Sequence, residues 1–223
     1  MVSDKGAKPG CFKNIFITGV TGFIGKQLLH LLESDTTYYD DSQHIEFKIL
    51  SRFPHPKYET VVCDLQSEVI PDDALDGIDT VFHLAGFAHD LREASKVEHF
   101  YRAVNVDATV RLAELAVESG VKRFVFVSSV KAGGLPVLGQ CVNEEVQSEP
   151  DGVYGKTKRE AELVLLDLAK KSNMHVSIIR PSLAYGPNSK GNLQLMLSGI
   201  KKGWFPPLDR KSTRLNSSHT SIS

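Results

Sequence analysis

From Asn14 onward, short apolar runs alternate with longer stretches in which apolar positions recur every three to four residues, a pattern that predicts strands alternating with helices. Strands are expected at Asn14–Thr18, Ile45–Leu50, Val61–Cys63, Thr80–Leu84, Phe124–Ser128 and Val176–Arg180, the last stopped by Pro181. Helices are expected at Phe23–Glu33, from about Lys96 to Ser119, and at Tyr154–Ser172. Gly120 ends the second of these as a left-handed cap, and the third carries Ala161, Val164, Leu165, Leu168 and Ala169 on one face. Phe124–Ser128 is too apolar for a solvent-facing strand, as strands buried on both faces of a parallel sheet tend to be. The fold class expected is therefore α/β, a doubly wound parallel sheet. A loop spans Ala132–Pro150, Leu193–Ile200 begins a helix of a second lobe, and no internal repeat is visible.

Composition narrows this picture without redirecting it. The chain has 223 residues, a formal net charge of −1 and 41% hydrophobic residues, enough for one well-packed α/β domain and the start of another. The balanced charge argues against nucleic acid or an anionic membrane surface as a partner. No apolar run approaches the roughly 20 residues that span a bilayer, and Met1–Lys13 lacks the apolar core of a secretory signal, so a cytoplasmic protein is expected. Cys11, Cys63 and Cys141 stand apart with no metal-ligand spacing, so neither disulfide nor metal is expected, and Cys63 reads as a core hydrophobe. His83, inside an apolar strand, reads as structural.

Two clusters carry chemistry. Gly19-Val-Thr-Gly22-Phe-Ile-Gly25 follows a strand and opens a helix, the context in which a glycine triplet cradles a diphosphate. The first glycine permits the tight turn, the second lets backbone approach the phosphates, and the third lets helix and strand pack closely. The backbone of Gly19, Thr21, Gly22, Phe23, Ile24 and Gly25 would then face the phosphates at the positive end of the helix dipole. Second, Tyr154 and Lys158 lie four apart at a helix start, hence on one face with side-chain origins about 5–6 Å apart. A nearby ammonium favours the phenolate, so Lys158 is expected to pull the Tyr154 pKa toward the working range. Ser128 and Ser129 end a strand upstream, completing the order Ser, Tyr, Lys.

The Gly-x-x-Gly-x-x-Gly spacing with Thr18 before it, together with Ser129, Tyr154 and Lys158 in that order, resembles the extended short-chain dehydrogenase/reductases of the NAD-dependent epimerase/dehydratase family. The likeness runs from Phe12 to about Leu208 and implies a Rossmann domain over 12–187 with a substrate lobe beginning at 188–208. It further implies catalysis by Ser129, Tyr154 and Lys158, with Ser128, Ser129, Tyr154 and Asn192 meeting substrate. By the same resemblance Asp64-Leu65 meets the adenine, His83-Leu84-Ala85-Gly86 runs beside the cofactor with Gly86 departing from the family's Ala, and Asn105 organises the sheet and site. Tyr154, Lys158 and Pro181, in the segment Arg180-Pro-Ser-Leu-Ala-Tyr-Gly-Pro187, border the nicotinamide. The second strand ends in Ser51-Arg52 with no carboxylate, which favours NADP(H) over NAD if Arg52 takes the 2′-phosphate; otherwise Arg52 covers the adenine or faces solvent.

Ser129 is followed by Val130-Lys131-Ala132 rather than the Thr-Asp-Glu run of sugar dehydratases, so the resemblance implies 4-epimerisation or 4-keto reduction of a nucleotide-sugar, Arg52 leaning slightly to the second. A reductase of a non-sugar carbonyl and a non-catalytic NAD(P)-binding regulator are the alternatives, and a homodimer through the helices near 96–119 and 154–172 is implied. Asp209–His219 back-translates, over 11 residues, into codons compatible with a sequencing-library adapter. Residues 209–223 are therefore expected to be non-native and disordered, most of the substrate lobe missing, and turnover low although cofactor still binds.

Overall fold

The computed structural model describes residues 13–34, 45–88, 94–134, 143–145, 147–150, 152–186 and 192–204. Cys11, Cys141, Pro187, Gly191 and the adapter-like stretch 209–223 lie outside the described residues.

Six strands form one parallel sheet: β1 (Asn14–Thr18), β2 (Glu46–Ser51), β3 (Glu59–Val62), β4 (Thr80–His83), β5 (Arg123–Val127) and β6 (His175–Ile179). Their spatial order is β3-β2-β1-β4-β5-β6, so the chain winds outward from β1 in one direction and from β4 in the other. The register sets Thr18 against both Leu50 and His83, which brings the ends of the three central strands level. Alternation then sorts the core. Ile15 and Ile17 join Ile49 and Val20 in a cluster packed by Leu29 and Leu32 of α1 (Phe23–Ser34). Phe16, between them, points the other way into a larger cluster with Val81, Phe124, Phe126 and Leu50. That cluster is closed by Leu112, Leu115 and Ala116 of α3 (Ala108–Glu118) and by Ala161 and Leu165 of α4 (Gly152–Lys171).

The long helix expected from Lys96 to Ser119 is interrupted. α2 (Ala94–Arg102) runs into a π-helical turn, Ala103–Asp107, before α3 resumes. One wide turn re-aims the residues inside it, here burying Val104, Asn105 and Val106 together. Gly120 has the left-handed φ of 73° expected of the cap. At the amino ends of the two central strands, Asp79 accepts the backbone N–H of Lys13 (2.9 Å) and Asn14 (3.0 Å) and the Thr80 hydroxyl (2.6 Å), tying the start of β1 to β4. Cys63 is buried as a free thiol, and His83 is fully buried, as expected of structural residues.

The chain divides into two compact units after Ala184. In the second, α5 (Asn192–Lys201) exposes Leu195, Met196, Leu197 and Ile200. Among the described residues no helix is long and apolar enough to cross a membrane, and no cluster of side chains could hold a metal ion.

Candidate active site

Six of the chemistry-bearing segments of the first unit leave the carboxyl ends of strands, while Asn105, Tyr154 and Lys158 come from helices. Gly19–Gly22 follows β1, Arg52 follows β2, Asp64-Leu65 follows β3, Leu84–Phe87 follows β4, Ser128-Ser129 follows β5 and Arg180-Pro181 follows β6. The crevice where strand order reverses, between β1 and β4, lies at this edge, the usual ligand position in open parallel sheets.

The glycine turn is shaped by close backbone contact. Gly19 has φ +74°, and a Cβ there would stand 2.6 Å from the Ala85 nitrogen; on Gly25 it would stand 2.2 Å from the Gly19 carbonyl oxygen. Only glycine lets the turn touch both the β4 loop and its own helix. The Gly22 N–H closes the turn on the Gly19 carbonyl at 2.9 Å. Thr21, Gly22 and Ile24 remain exposed at the start of α1, where the first helical N–H groups have no intrahelical acceptor. An open helix N-terminus with a glycine at its mouth fits a diphosphate. Phe23 is half-buried behind it.

Arg52 is exposed immediately after β2, next to the largely exposed Phe53. Asp64 is half-buried, and its Oδ1 accepts the Gln66 N–H at 3.1 Å while Glu68 accepts the Asp64 N–H, an Asx-type turn. Leu65 packs against the larger core cluster. Asp64 thus closes a turn, no helix standing among the described residues between β3 and β4, and one carboxylate oxygen is committed to that turn.

A buried chain of hydrogen bonds crosses the site floor, and its direction follows from counting protons. Thr109 Oγ1 donates its single hydrogen to the Asn105 carbonyl (3.0 Å), so toward His83 Nε2 (2.9 Å) it can only accept. His83 therefore carries its proton on Nε2, and Nδ1 accepts from Thr18 Oγ1 at 2.7 Å. Thr18 in turn accepts the Ala85 N–H at 3.1 Å. Burial, with the positive Lys158 nearby, pushes the imidazole pKa down to about 3, so the ring is neutral through the physiological range. Leu84 completes this corner, its N–H on the Thr18 carbonyl at 3.3 Å.

Asn105, in the π-turn, continues the chain with its side chain. Oδ1 accepts the Phe87 N–H (2.8 Å); Nδ2 donates to the Phe87 carbonyl (3.1 Å) and to Thr157 Oγ1 (3.2 Å) on α4. The residue is fully buried, so its amide faces protein on every side and holds the β4 loop to α4. Gly86 passes close by: a Cβ there would lie 3.2 Å from Lys158 Nζ and 3.3 Å from Asn105 Oδ1.

Ser129 caps a 3₁₀ turn, Val130–Gly133, its Oγ accepting the Lys131 N–H at 3.3 Å. Gly155, inside the Tyr154-x-x-x-Lys158 spacing, lets α4 approach this turn, since a Cβ would stand 2.7 Å from the Lys131 carbonyl oxygen. The Tyr154 phenol consequently reaches Ser129. Burial raises its pKa above the ordinary value, the hydrogen bond with Ser129 opposes the rise, and Tyr101 adds to it. Tyr101 meets Tyr154 edge-on at 6.3 Å and is backed by Phe87 at 4.8 Å, an aromatic wall that the sequence pattern did not single out.

Lys158 corrects one expectation. Its Nζ donates to the Val127 carbonyl at 3.0 Å and lies 4.4 Å from the Phe126 ring centroid, the ring on which His83 also stacks at 5.7 Å. The ammonium is directed to the sheet end and not at the phenol, so it does not draw the Tyr154 pKa down here. Burial lowers the Lys158 pKa to about 8, with Glu162 opposing. Ser128 is buried with its Oγ unpaired, Pro181 accepts the Val130 N–H at 3.2 Å, and Lys156 is exposed. Asn192 opens α5 in the second unit, and its side chain lies outside the described residues. Glu162, buried, and Arg180, half-buried, form an ion pair one turn beyond Lys158; a charged residue at the i+4 position of a buried helical face was the available signal for it.

A profile of the NAD dependent epimerase/dehydratase family matches residues 15–204. The chain belongs to that family. Among relatives of this family, it is 37% identical over 196 residues to a UDP-glucose 4-epimerase of Vibrio cholerae, covering 86% of this chain and 58% of that protein. It is 30% identical over 216 residues to a 3 beta-hydroxysteroid dehydrogenase/Delta 5-->4-isomerase of Mycobacterium tuberculosis, covering 92% of this chain and 56% of that one. A solved structure of MoeE5 in complex with UDP-glucose and NAD superimposes with a TM-score of 0.60 at 30% identity, covering 74% of this chain and 52% of that one. The chain thus spans between half and three-fifths of the length of these epimerase/dehydratase relatives.

Proposed function

We propose that this family member binds NAD(P) at the β1–β4 crevice and transfers hydride at a carbinol carbon of a nucleotide-sugar, by 4-epimerisation or 4-keto reduction. The observation that carries the reading is that Ser129 caps the turn after β5 and that Gly155 brings the helix carrying Tyr154, with Lys158 one turn away, against that same turn at the carboxyl end of the sheet. Likeness to an epimerase of UDP-glucose and to a protein solved with UDP-glucose and NAD supports the sugar class.

In this reading residues 12–187 hold the dinucleotide and 188–208 contribute to the substrate side. The glycine turn and the N–H groups of Phe23, Ile24 and Gly25 take the diphosphate. Leu84, Ala85 and Gly86 let backbone lie along the cofactor, Asp64 and Leu65 meet the adenine, and Pro181 borders the nicotinamide. Arg52, exposed at the end of β2, takes the 2′-phosphate of NADP(H) by a charge-assisted contact. When bound, the nicotinamide supplies the hydride acceptor or donor. Ser129 hydrogen-bonds the reacting oxygen; Tyr154 Oη, a neutral phenol in this structure, donates its proton on reduction, and takes the hydroxyl proton as hydride leaves once the positive charge of an oxidised nicotinamide favours the phenolate. Lys158 holds its ammonium on the Val127 carbonyl, one turn from Tyr154, and Ser128 Oγ, buried and unpaired, donates to the substrate beside Ser129. A dimer through α2, α3 and α4 is supported by the exposed Leu163 and Leu166 on α4, and a monomer in sedimentation equilibrium would remove it.

The test is direct. NADH and NADPH are titrated by fluorescence, and the chain is then incubated with UDP-glucose or UDP-N-acetylglucosamine and cofactor, the sugar products being separated by chromatography. Cofactor binding with an epimer or reduced sugar supports the proposal; cofactor binding with turnover of a 3β-hydroxysteroid instead would favour the steroid reading, which the Mycobacterium tuberculosis relative motivates. No dinucleotide binding at all would reject both.

A further inference from the structure

The side of the site away from the glycine turn is built around one guanidinium. Glu162 on α4 is only 1% exposed, and Arg180, directly after β6, meets it with two parallel contacts: Nε to Oε1 at 2.8 Å and Nη2 to Oε2 at 2.5 Å. The same Nη2 reaches Gln147 Oε1 at 3.3 Å, and a Cβ on Gly133 would lie 3.4 Å from Nη1. Arg180 therefore touches α4, the 3₁₀ turn that follows Ser129, and the segment before α4. The backbone around it is fastened to the same turn, Ser128 N–H to the Ile179 carbonyl at 2.7 Å and Val130 N–H to the Pro181 carbonyl at 3.2 Å. Ser148 N–H donates to the Gly133 carbonyl at 2.9 Å, joining the segment before α4 to the turn as well.

We propose that Glu162 and Arg180 are positioning residues, a planar two-point link that sets the helix carrying Tyr154 and Lys158 in register with the turn carrying Ser129. The inference rests on the reading of Ser129 and Tyr154 as the reacting pair. Its physical basis is the difference between apolar and forked contacts. Ala161 and Leu165 already pack α4 on the sheet, and apolar packing is nearly isotropic, so it permits small slides of a helix along its axis. A guanidinium fork on a carboxylate does not, because both N–H···O bonds lengthen together when either partner moves. Burying the pair costs desolvation that apolar side chains of similar volume would avoid, so stability alone gives no reason for charges at this position. Glu162 also stands one turn beyond Lys158 on the same face, and the Val127 carbonyl at the end of β5 takes the ammonium, so the ammonium is set among fixed groups. The consequence is that Tyr154 keeps its buried contact with Ser129 and Tyr101 instead of sampling solvent.

The experiment uses the full chain with two variants. Glu162→Met/Arg180→Met removes the pair without leaving a buried charge unpaired, and Arg180→Lys keeps the charge but loses the fork. Two readouts are taken: the ionisation of the Tyr154 phenol by ultraviolet difference titration, with Tyr154→Phe subtracted, and kcat and KM in the nucleotide-sugar assay. In a folded double variant the phenol should titrate nearer its ordinary value, with kcat reduced at least about tenfold and the NAD(P)H Kd within roughly twofold, because small misplacements of reacting groups act on turnover. Arg180→Lys should fall between. An unmoved phenol titration and an unchanged kcat in either folded variant overturn the proposal. If the double variant does not fold, Arg180→Lys carries both readouts alone. Because the phenol titration needs no turnover, a wild-type chain inactive on every sugar would reject the proposed function while the titration still decides the role of the pair.

Discussion

Substituting His83 by glutamine should flatten the dependence of stability on pH between 7 and 5. The wild-type imidazole is fully buried and its pKa is held down to about 3, against about 6.5 in the unfolded chain. The unfolded state therefore binds the extra proton below about pH 6.5, while the folded state refuses it until near pH 3. Folding stability must then rise with pH across that window and fall on acidification. At pH 5 the unfolded imidazole is almost fully protonated, which costs the folded state about 2 kcal/mol relative to pH 7; the ceiling, reached near pH 3, is on the order of 4–5 kcal/mol. The burial comes from stacking on Phe126 at 5.7 Å and hydrogen bonds to Thr18 and Thr109, which a glutamine amide can partly replace. Absolute stability should drop in the variant, but its slope with pH should shrink. The other described histidines, His30, His55, His99 and His175, are exposed. Urea unfolding of wild type and variant at pH 7, 6 and 5 measures the difference in slope. Parallel losses of stability in the two proteins would refute the argument, since no proton would then be excluded by folding at this position.

Three further outcomes are expected. Tyr154→Phe should lower turnover by about 10²–10⁴-fold, the usual share of a general acid–base group, with fluorescence titration showing NAD(P)H binding nearly intact; turnover close to wild type would remove Tyr154 from that role. Arg52→Glu should weaken NADPH at least about tenfold more than NADH, a difference of roughly 1.4 kcal/mol, and equal effects on the two cofactors would show that Arg52 does not read the 2′-phosphate. Gly25→Ala places a Cβ 2.2 Å from the Gly19 carbonyl, so the turn must shift; thermal unfolding should report a loss of about 1–3 kcal/mol and the cofactor titration a weakened complex, whereas an unchanged melting temperature would mean that the helix can move aside cheaply.

Most of the architecture was legible in the one-dimensional pattern, because each strand carries its own signature of burial. Phe124 and Phe126, for example, are apolar residues inside a strand covered on both faces, and they sit at the centre of the larger core. The helix from α2 to α3 was legible as a helix but not as an interrupted one, since a π-turn changes hydrogen-bond partners by one residue and leaves the apolar spacing almost intact. Within the site, Gly19, Gly22 and Gly25 were legible because backbone geometry demands glycine locally. Gly155 was not, because what excludes a side chain there is the Lys131 carbonyl of a distant segment.

The sequence by itself thus determined the strand and helix sequence, the glycine turn after β1, and the presence of Ser129, Tyr154 and Lys158 in an order associated with one family. These follow from short-range periodicity and local backbone conformation, which neighbouring residues encode. Only the tertiary structure decided where the polar groups point. It turned Lys158 toward the Val127 carbonyl and the Phe126 ring, gave Asn105 to Phe87 and Thr157, and oriented His83 between two threonines. It also paired Glu162 with Arg180 across 18 positions of sequence. A buried polar atom takes whichever partner the packed elements bring within reach, since leaving it unpaired costs about 1–3 kcal/mol, and that choice is made in three dimensions rather than along the chain.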